Sequence, residues 1–234
     1  MYQDYSYSHY YILRGHIQYN EQLDIENYSI NRVGHEYFRP TYPSYWKGLE
    51  DVRFINKNQI IAIVPECNPG GNPSLFCATL EDSLLHSFVE CKPSIIEKNW
   101  MPFDNNKVIY SLDPFIVKDI IEDNRTEIGL SDDEKAELKG FHGSTNGIKY
   151  DDKYTLFLIH INRDKVYHKW LMFCPITNEI KLSYEFLFFN HAYIEFTCSL
   201  GIYNDRVFIS LGVNDDKAYI IETDKETICN YMCK

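Results

Sequence analysis

What this sequence lacks narrows it before any motif is read. Basic residues are few: 23 lysines and arginines stand against 34 aspartates and glutamates, a net charge of −11. Tracking a phosphate backbone needs a basic face, and no Lys/Arg cluster supplies one, so no nucleic-acid partner is expected. No apolar run approaches the roughly 20 residues of a membrane helix, so no membrane span is expected either. The opening MYQDYSYSHYYILRG has neither a basic start nor an apolar stretch of secretory type, which predicts no signal peptide. The seven cysteines are an odd number and contain no C-x-x-C pair; Cys229 and Cys233 lie four apart. Such usage fits reduced thiols in a cytoplasmic compartment better than a disulfide framework or a zinc site. It predicts no metal, and it leaves the sequons at Asn27 and Asn124 without meaning.

Aromatic residues, by contrast, are abundant. Nineteen tyrosines and 14 phenylalanines among 234 residues, with many isoleucines, favour the pleated surface of β structure. A repeat then organises the chain. One unit recurs four times: a polar motif running into an apolar segment, an Asn/Asp turn, an apolar strand with a polar end, and a further strand. The copies are LEDVRFI-NKN-QIIAIVPE, EKNWMPF-DNNK-VIYSLDP, FHGSTNGIKY-DDK-YTLFLIHIN and YIEFTCSLGIY-NDR-VFISLGVND. The strands that follow them are SLFCATLED, FIVKDIIED, VYHKWLMFCP and KAYIIETD. Asn and Asp tolerate the positive φ of tight turns, so each copy reads as an antiparallel meander. Copies of about 45 residues, each a small sheet, predict an all-β, five-bladed β-propeller in a single domain over residues 1–234. Residues 48–234 supply four blades, and residues 1–47 a short first blade or the closure of the ring. Helix is minor; SDDEKAELKG is the one candidate, with Ser131 as N-cap and Gly140 past its end.

In a propeller the inner strands line a central channel, so the polar residues that open each copy converge at its mouth. These are Glu50, Asp51 and Arg53, then Lys98 and Asn99, then His142, then Glu195. The polar ends of the second strands add Glu66, Asp113, His160 and Asp215. Carboxylates, cations and imidazoles around one pocket suit a carbohydrate or sugar phosphate. Plainer readings stand beside this one. Asp51 and Arg53 share a strand face and could form only an ion pair. Asn99 could serve its own backbone, His160 could be a satisfied core histidine, and Glu195 could be paired structurally. Trp100 and Phe103 read as packing between blades, and His168 and His191 as peripheral.

GLEDVRFI resembles the E-D-P-R motif of the five-bladed propeller enzymes of glycoside hydrolase family 130, the β-mannoside phosphorylases and their relatives. YIEFTCSLGIYNDRVFISLGVNDDKAYIIE resembles their last blade, with G-x-x-D at Gly212 to Asp215. EKNWMPF with VIYSLDP, and HGSTNG with YTLFLIHI, resemble middle blades, including propeller domains attached to glycosyltransferases. The resemblance spans roughly residues 46 to 223. It implies Asp51 as proton donor to the glycosidic oxygen through a sugar hydroxyl, Arg53 orienting it or the substrate, Lys98 and His160 on the phosphate side, and Asp215 on a sugar hydroxyl. Val52 replaces the motif proline, Asp113-Pro114 stands where phosphorylases often carry arginine before proline, and His142 stands where related propellers often show arginine.

Two functions are therefore expected. The first is a glycoside-processing enzyme, whether phosphorylase, hydrolase or glycosyltransferase, with no cofactor but with inorganic phosphate or a nucleotide sugar as co-substrate. The second is a catalytically silent, glycan-binding or scaffolding propeller beside a glycosyltransferase.

Overall fold

The computed structural model describes residues 6–7, 11–20, 22–32, 34–35, 46–70, 73–82, 84–90, 98–104 and 106–232, with side chains from residue 48 onward except 88–90. Apart from two short helices and one 3-10 turn, its regular elements are β-strands. They form two compact units, Met1–Val52 with Asn56–Lys98, and Arg53–Ile55 with Asn99–Lys234.

The first unit holds most of the first blade. Glu50–Asn56, Gln59–Ile63, Leu75–Glu81 and Leu84–Glu90 lie side by side in chain order. The expected NKN turn forms, with the side chain of Asn56 accepting the Asn58 N–H at 3.0 Å. Ile60, Ala62, Phe76, Ala78 and Leu85 make the core. Gly34–His35 adds in parallel to Leu84-Leu85 as the outermost strand.

The second unit holds three more blades. The second comprises Met101–Phe103, Lys107–Leu112, Phe115–Asp119 and Arg125–Glu127. The third centres on Thr155–Asn162, Val166–Phe173 and Ile180–Leu182. The fourth is Glu195–Tyr203, Arg206–Val213 and Lys217–Asp224. Side chains alternate faces along a strand, and Thr155–Asn162 is covered on both. Phe157 and Ile159 join a core with Met101, Phe103 and Phe115 of the second blade. Leu156 and Leu158 join another with Leu200, Val207 and Ile209 of the fourth. Each large apolar side chain so buried contributes about 1.5–3 kcal/mol. Phe103 meets Phe157 and Phe173 edge-on, both at 5.8 Å between ring centroids. Sheets stacked face to face in chain order are the propeller arrangement.

Four blades, not five, are present among the described residues. Much of the short blade expected over 1–47 lies outside them. The strands described there are a hairpin, Tyr11–Asn20 with Gln22–Arg32, a short pair, Ser6–Tyr7 with Trp46–Lys47, and Gly34–His35 on the first blade's edge, and two-stranded pieces are too few for a blade. The third inner strand is also broken: His142–Gly143 and Ile148–Lys149 each pair with Thr155–Asn162, and residues 144–147 form a corner between them. Asn146 uses that corner to reach the fourth blade. Its amide donates to the Leu200 carbonyl at 3.1 Å and accepts the Leu200 N–H at 3.0 Å.

The expected helix runs Asp132–Leu138, and Ser131 closes a capping box with Glu134. A second helix, Lys225–Met232, was not expected; Asp224 accepts the Thr227 N–H at 2.6 Å, and Ile228 is buried in the core between the third and fourth blades. Cys229 on this helix is a free, exposed thiol, and Cys233 lies outside the described residues. No helix among the described residues is long and apolar enough to cross a membrane.

Candidate functional site

The polar residues that open the blades form separate groups. In the first unit, Glu50, Asp51 and Glu66 bring three carboxylates together. Burial, and then the charges of Asp51 and Glu66, push the Glu50 carboxyl above the usual carboxylate range. Glu66 is 4% exposed and sits on the short 3-10 turn Pro65–Cys67, where its Oε1 accepts the Gly48 N–H at 2.8 Å. Its Oε2 is buried without a hydrogen-bond partner among the described residues. Desolvation and like charge are the two forces that keep a proton on a carboxyl near neutral pH. Both forces act on Glu50.

Asp51 and its repeat partner Asn99 share a backbone peculiarity, with φ of 49° and 65°. Aspartate and asparagine tolerate the left-handed region better than other residues with a Cβ. An amide just before an apolar segment is thereby explained: Asn99 turns the chain, and Trp100, Met101 and Phe103 enter the interior behind it. Trp100 packs inside its own blade, under Lys118, whose Nζ lies 4.3 Å above the ring. Lys118 is 1% exposed and pairs with Asp123 at 3.0 Å, a buried cation that nothing in FIVKDIIED announces.

The third-blade corner gathers the rest. His142 and His160 are cross-strand partners with ring centroids 5.9 Å apart, His142 exposed and His160 nearly buried. Ser144 Oγ lies 2.8 Å from Nδ1 of His160. The Ser144 carbonyl accepts the Nε–H of Arg53 at 2.5 Å, and Arg53 belongs to this second unit. Phe196 of the fourth blade meets the His160 ring edge-on at 5.6 Å. Asn99 is adjacent, because a Cβ on Gly143 would collide with its carbonyl oxygen and would come within 2.7 Å of Met101 Cγ. Of the residues expected from the sequence, Arg53, Asn99, His142 and His160 are thus brought together in this unit. Ser144 and Phe196 were missed: a serine inside HGSTNG and a phenylalanine in an apolar strand carry no signal of their own.

The remaining expected residues lie elsewhere. Glu195 is 1% exposed and accepts the N–H groups of Phe188 at 2.9 Å and Phe189 at 2.6 Å. His168 Nε2 stands 3.5 Å from it. Burial alone would raise this carboxyl, but the nearby His168 ring and the bonds from the two N–H groups outweigh it and hold it below the usual range. The peripheral placement expected for His168 is corrected, for the ring has no exposure and packs against Phe186 and Phe188. Asp215 is exposed at the tip of a hairpin with φ of 53°, and Lys98 and Asp113 are exposed too. No group of three or more His, Cys, Asp or Glu side chains among the described residues is placed to hold a metal ion.

No family model matches the sequence, and no curated protein matches it. Solved structures do match the fold. A β-1,2-mannobiose phosphorylase from Listeria innocua, in complex with β-1,2-mannobiose, superposes with a TM-score of 0.57 at 13% identity over 82% of this chain. A candidate glycosidase from Bacteroides thetaiotaomicron superposes with a TM-score of 0.51 at 12% identity over 76% of this chain and 68% of its own. The fold is similar to that of these propellers. At such identities the likeness is one of fold, and this chain spans about 62% of the phosphorylase's length.

Proposed function

We propose that this protein is a carbohydrate-active enzyme acting on a glycoside, with Asp51 as general acid. The observation that carries the reading is the third-blade corner, where a guanidinium from the first copy of the repeat and two imidazoles from the third meet around Ser144. Cationic and imidazole donors suit the oxygens of a sugar or a phosphate. Supporting it, Glu50 beside Asp51 in the first blade is a carboxyl held above the usual range by burial and by the charges of Asp51 and Glu66. In this reading the four repeats are blades of one domain. Asp51 gives its proton to the glycosidic oxygen, the bond from that oxygen to the anomeric carbon breaks, and an oxygen of phosphate, water or an acceptor sugar forms the new bond. Arg53, Asn99 and His142 orient the sugar, Glu50 supports Asp51, and Lys98 and His160 serve the incoming anion. A mannoside is the first substrate to test, because the phosphorylase of similar fold was solved with β-1,2-mannobiose.

A second reading, a glycan-binding module beside a glycosyltransferase, is favoured by one feature. Asp113 occupies the place where the resemblance expects a phosphate-binding arginine.

The test is mass spectrometry of the protein incubated with β-1,2-mannobiose and phosphate, and separately with mannose 1-phosphate or GDP-mannose plus acceptors, each beside Asp51→Asn. Product that depends on Asp51 supports the enzyme. Binding of mannobiose without conversion supports the module.

A further inference from the structure

We infer that Ser144 is a positioning residue that sets the direction of both His160 and Arg53. The inference rests on the third-blade corner being part of a sugar-processing site. A neutral imidazole carries a proton on one nitrogen and a lone pair on the other, so a fixed partner at one nitrogen decides the role of both. Ser144 is that partner, with Oγ 2.8 Å from Nδ1 of His160. Nε2 then takes the role that Nδ1 does not. The same residue's carbonyl accepts the Nε–H of Arg53 at 2.5 Å, which fixes the plane of the guanidinium. One residue thus aligns a ring and a cation that arise more than 100 positions apart, Arg53 from the first repeat and His160 from the third.

The corner is built to hold Ser144 still. Before it, Gly143 is packed so closely on Asn99 and Met101 that no Cβ fits. After it, Thr145 Oγ1 accepts the Leu158 N–H at 3.0 Å, and the Gly147 N–H donates to the Pro102 carbonyl at 2.8 Å. Ser144 and Thr145 have no solvent exposure, so water does not compete for the hydroxyl. The same burial denies a substrate carbon access to Ser144 Oγ. A serine beside a histidine is here a holder of the ring and not a nucleophile. The arrangement is that of the outer partners which orient ligating histidines in other active sites.

Long-range proton–nitrogen correlation spectra of labelled protein, with the His160 signals assigned by comparison with His160→Gln, provide the test. Wild type is expected to show His160 as one tautomer. Ser144→Ala is expected to show a mixture and a displaced titration, and Ser144→Cys, which keeps the volume but has a weaker hydrogen-bonding group, an intermediate pattern. Affinity for inorganic phosphate or β-1,2-mannobiose is expected to fall about threefold to tenfold in Ser144→Ala, the scale of one lost hydrogen bond. Identical His160 signals in wild type and Ser144→Ala would overturn the inference. If Ser144→Ala does not fold, mixed tautomers in wild type overturn it, and a single tautomer in wild type that is disturbed in Ser144→Cys sustains it. If His160 responds as expected while wild type binds neither ligand, the positioning role stands and the sugar-processing reading falls.

Discussion

Glu195 and His168 form a fully interior pair, carboxylate oxygen to Nε2 at 3.5 Å, at the start of the fourth blade's inner strand. Because the folded protein holds the Glu195 carboxyl below its ordinary range, its contribution to stability is complete above the unfolded value of about 4.3 and is lost as pH falls through the folded value. Glu195→Gln should cost about 2–3 kcal/mol at neutral pH, since an amide oxygen serves the two N–H groups and His168 poorly. The gap from wild type should shrink as the pH drops below about 4. Urea denaturation at a series of pH values measures it, and a gap constant from pH 7 to pH 3 would show that the carboxylate charge is irrelevant.

Asn99 has a backbone role and a proposed substrate role, and two substitutions separate them. Asn99→Gly keeps the left-handed turn and should leave stability within about 0.5 kcal/mol, while Asn99→Ala should lose about 1 kcal/mol from its positive φ. If the side chain also meets substrate, both variants should lose affinity for β-1,2-mannobiose equally. Calorimetric titration beside thermal melts decides; affinity retained in Asn99→Gly would restrict Asn99 to the turn.

Asp51→Asn keeps the side chain's size and its tolerance of φ 49°, so the backbone turn should be preserved. Turnover of an active glycoside should fall about 10²- to 10⁴-fold, the range for a lost general acid. Unchanged turnover in a protein with an unchanged circular dichroism spectrum would remove Asp51 from the mechanism.

Ser131→Ala deletes the cap of the Asp132–Leu138 helix and should cost about 1 kcal/mol. Leu138 ties this helix to the core between the second and third blades, so the loss should register in global unfolding. A loss confined to local fraying, seen by hydrogen exchange without a change in denaturation midpoint, would show that the helix is peripheral to stability.

Much of this architecture was legible because two local rules coincide. Asn and Asp mark the tight turns, and the apolar runs between them, such as YTLFLIHI, are strands buried on both faces. The Ser131 cap was legible for the same reason, since its chemistry is local. The corner around Ser144 was not legible. Its importance comes from what lies against it, a guanidinium from Arg53 and an imidazole from His160, and no spacing along the chain encodes such a meeting. Lys118 and His168 were missed likewise, because burial of a polar side chain is decided by what the fold packs around it, Asp123 and Trp100 for one and Glu195, Phe186 and Phe188 for the other. Glu195 shows the converse: alternation with apolar neighbours put it on a face, but the N–H groups of Phe188 and Phe189 decide what that face does.

Asn146 lends Leu200 an acceptor and a donor of the sort that a neighbouring strand would offer. Between the third and fourth blades, then, one side chain stands in for a peptide rung, beside the interior pair of His168 and Glu195 and the apolar packing around them. The fourth blade is in this sense a page stitched to its neighbour at Asn146, where packing alone has no direction. With that stitch cut, the Leu200 amide would be among the first of the second unit to trade its proton with the solvent.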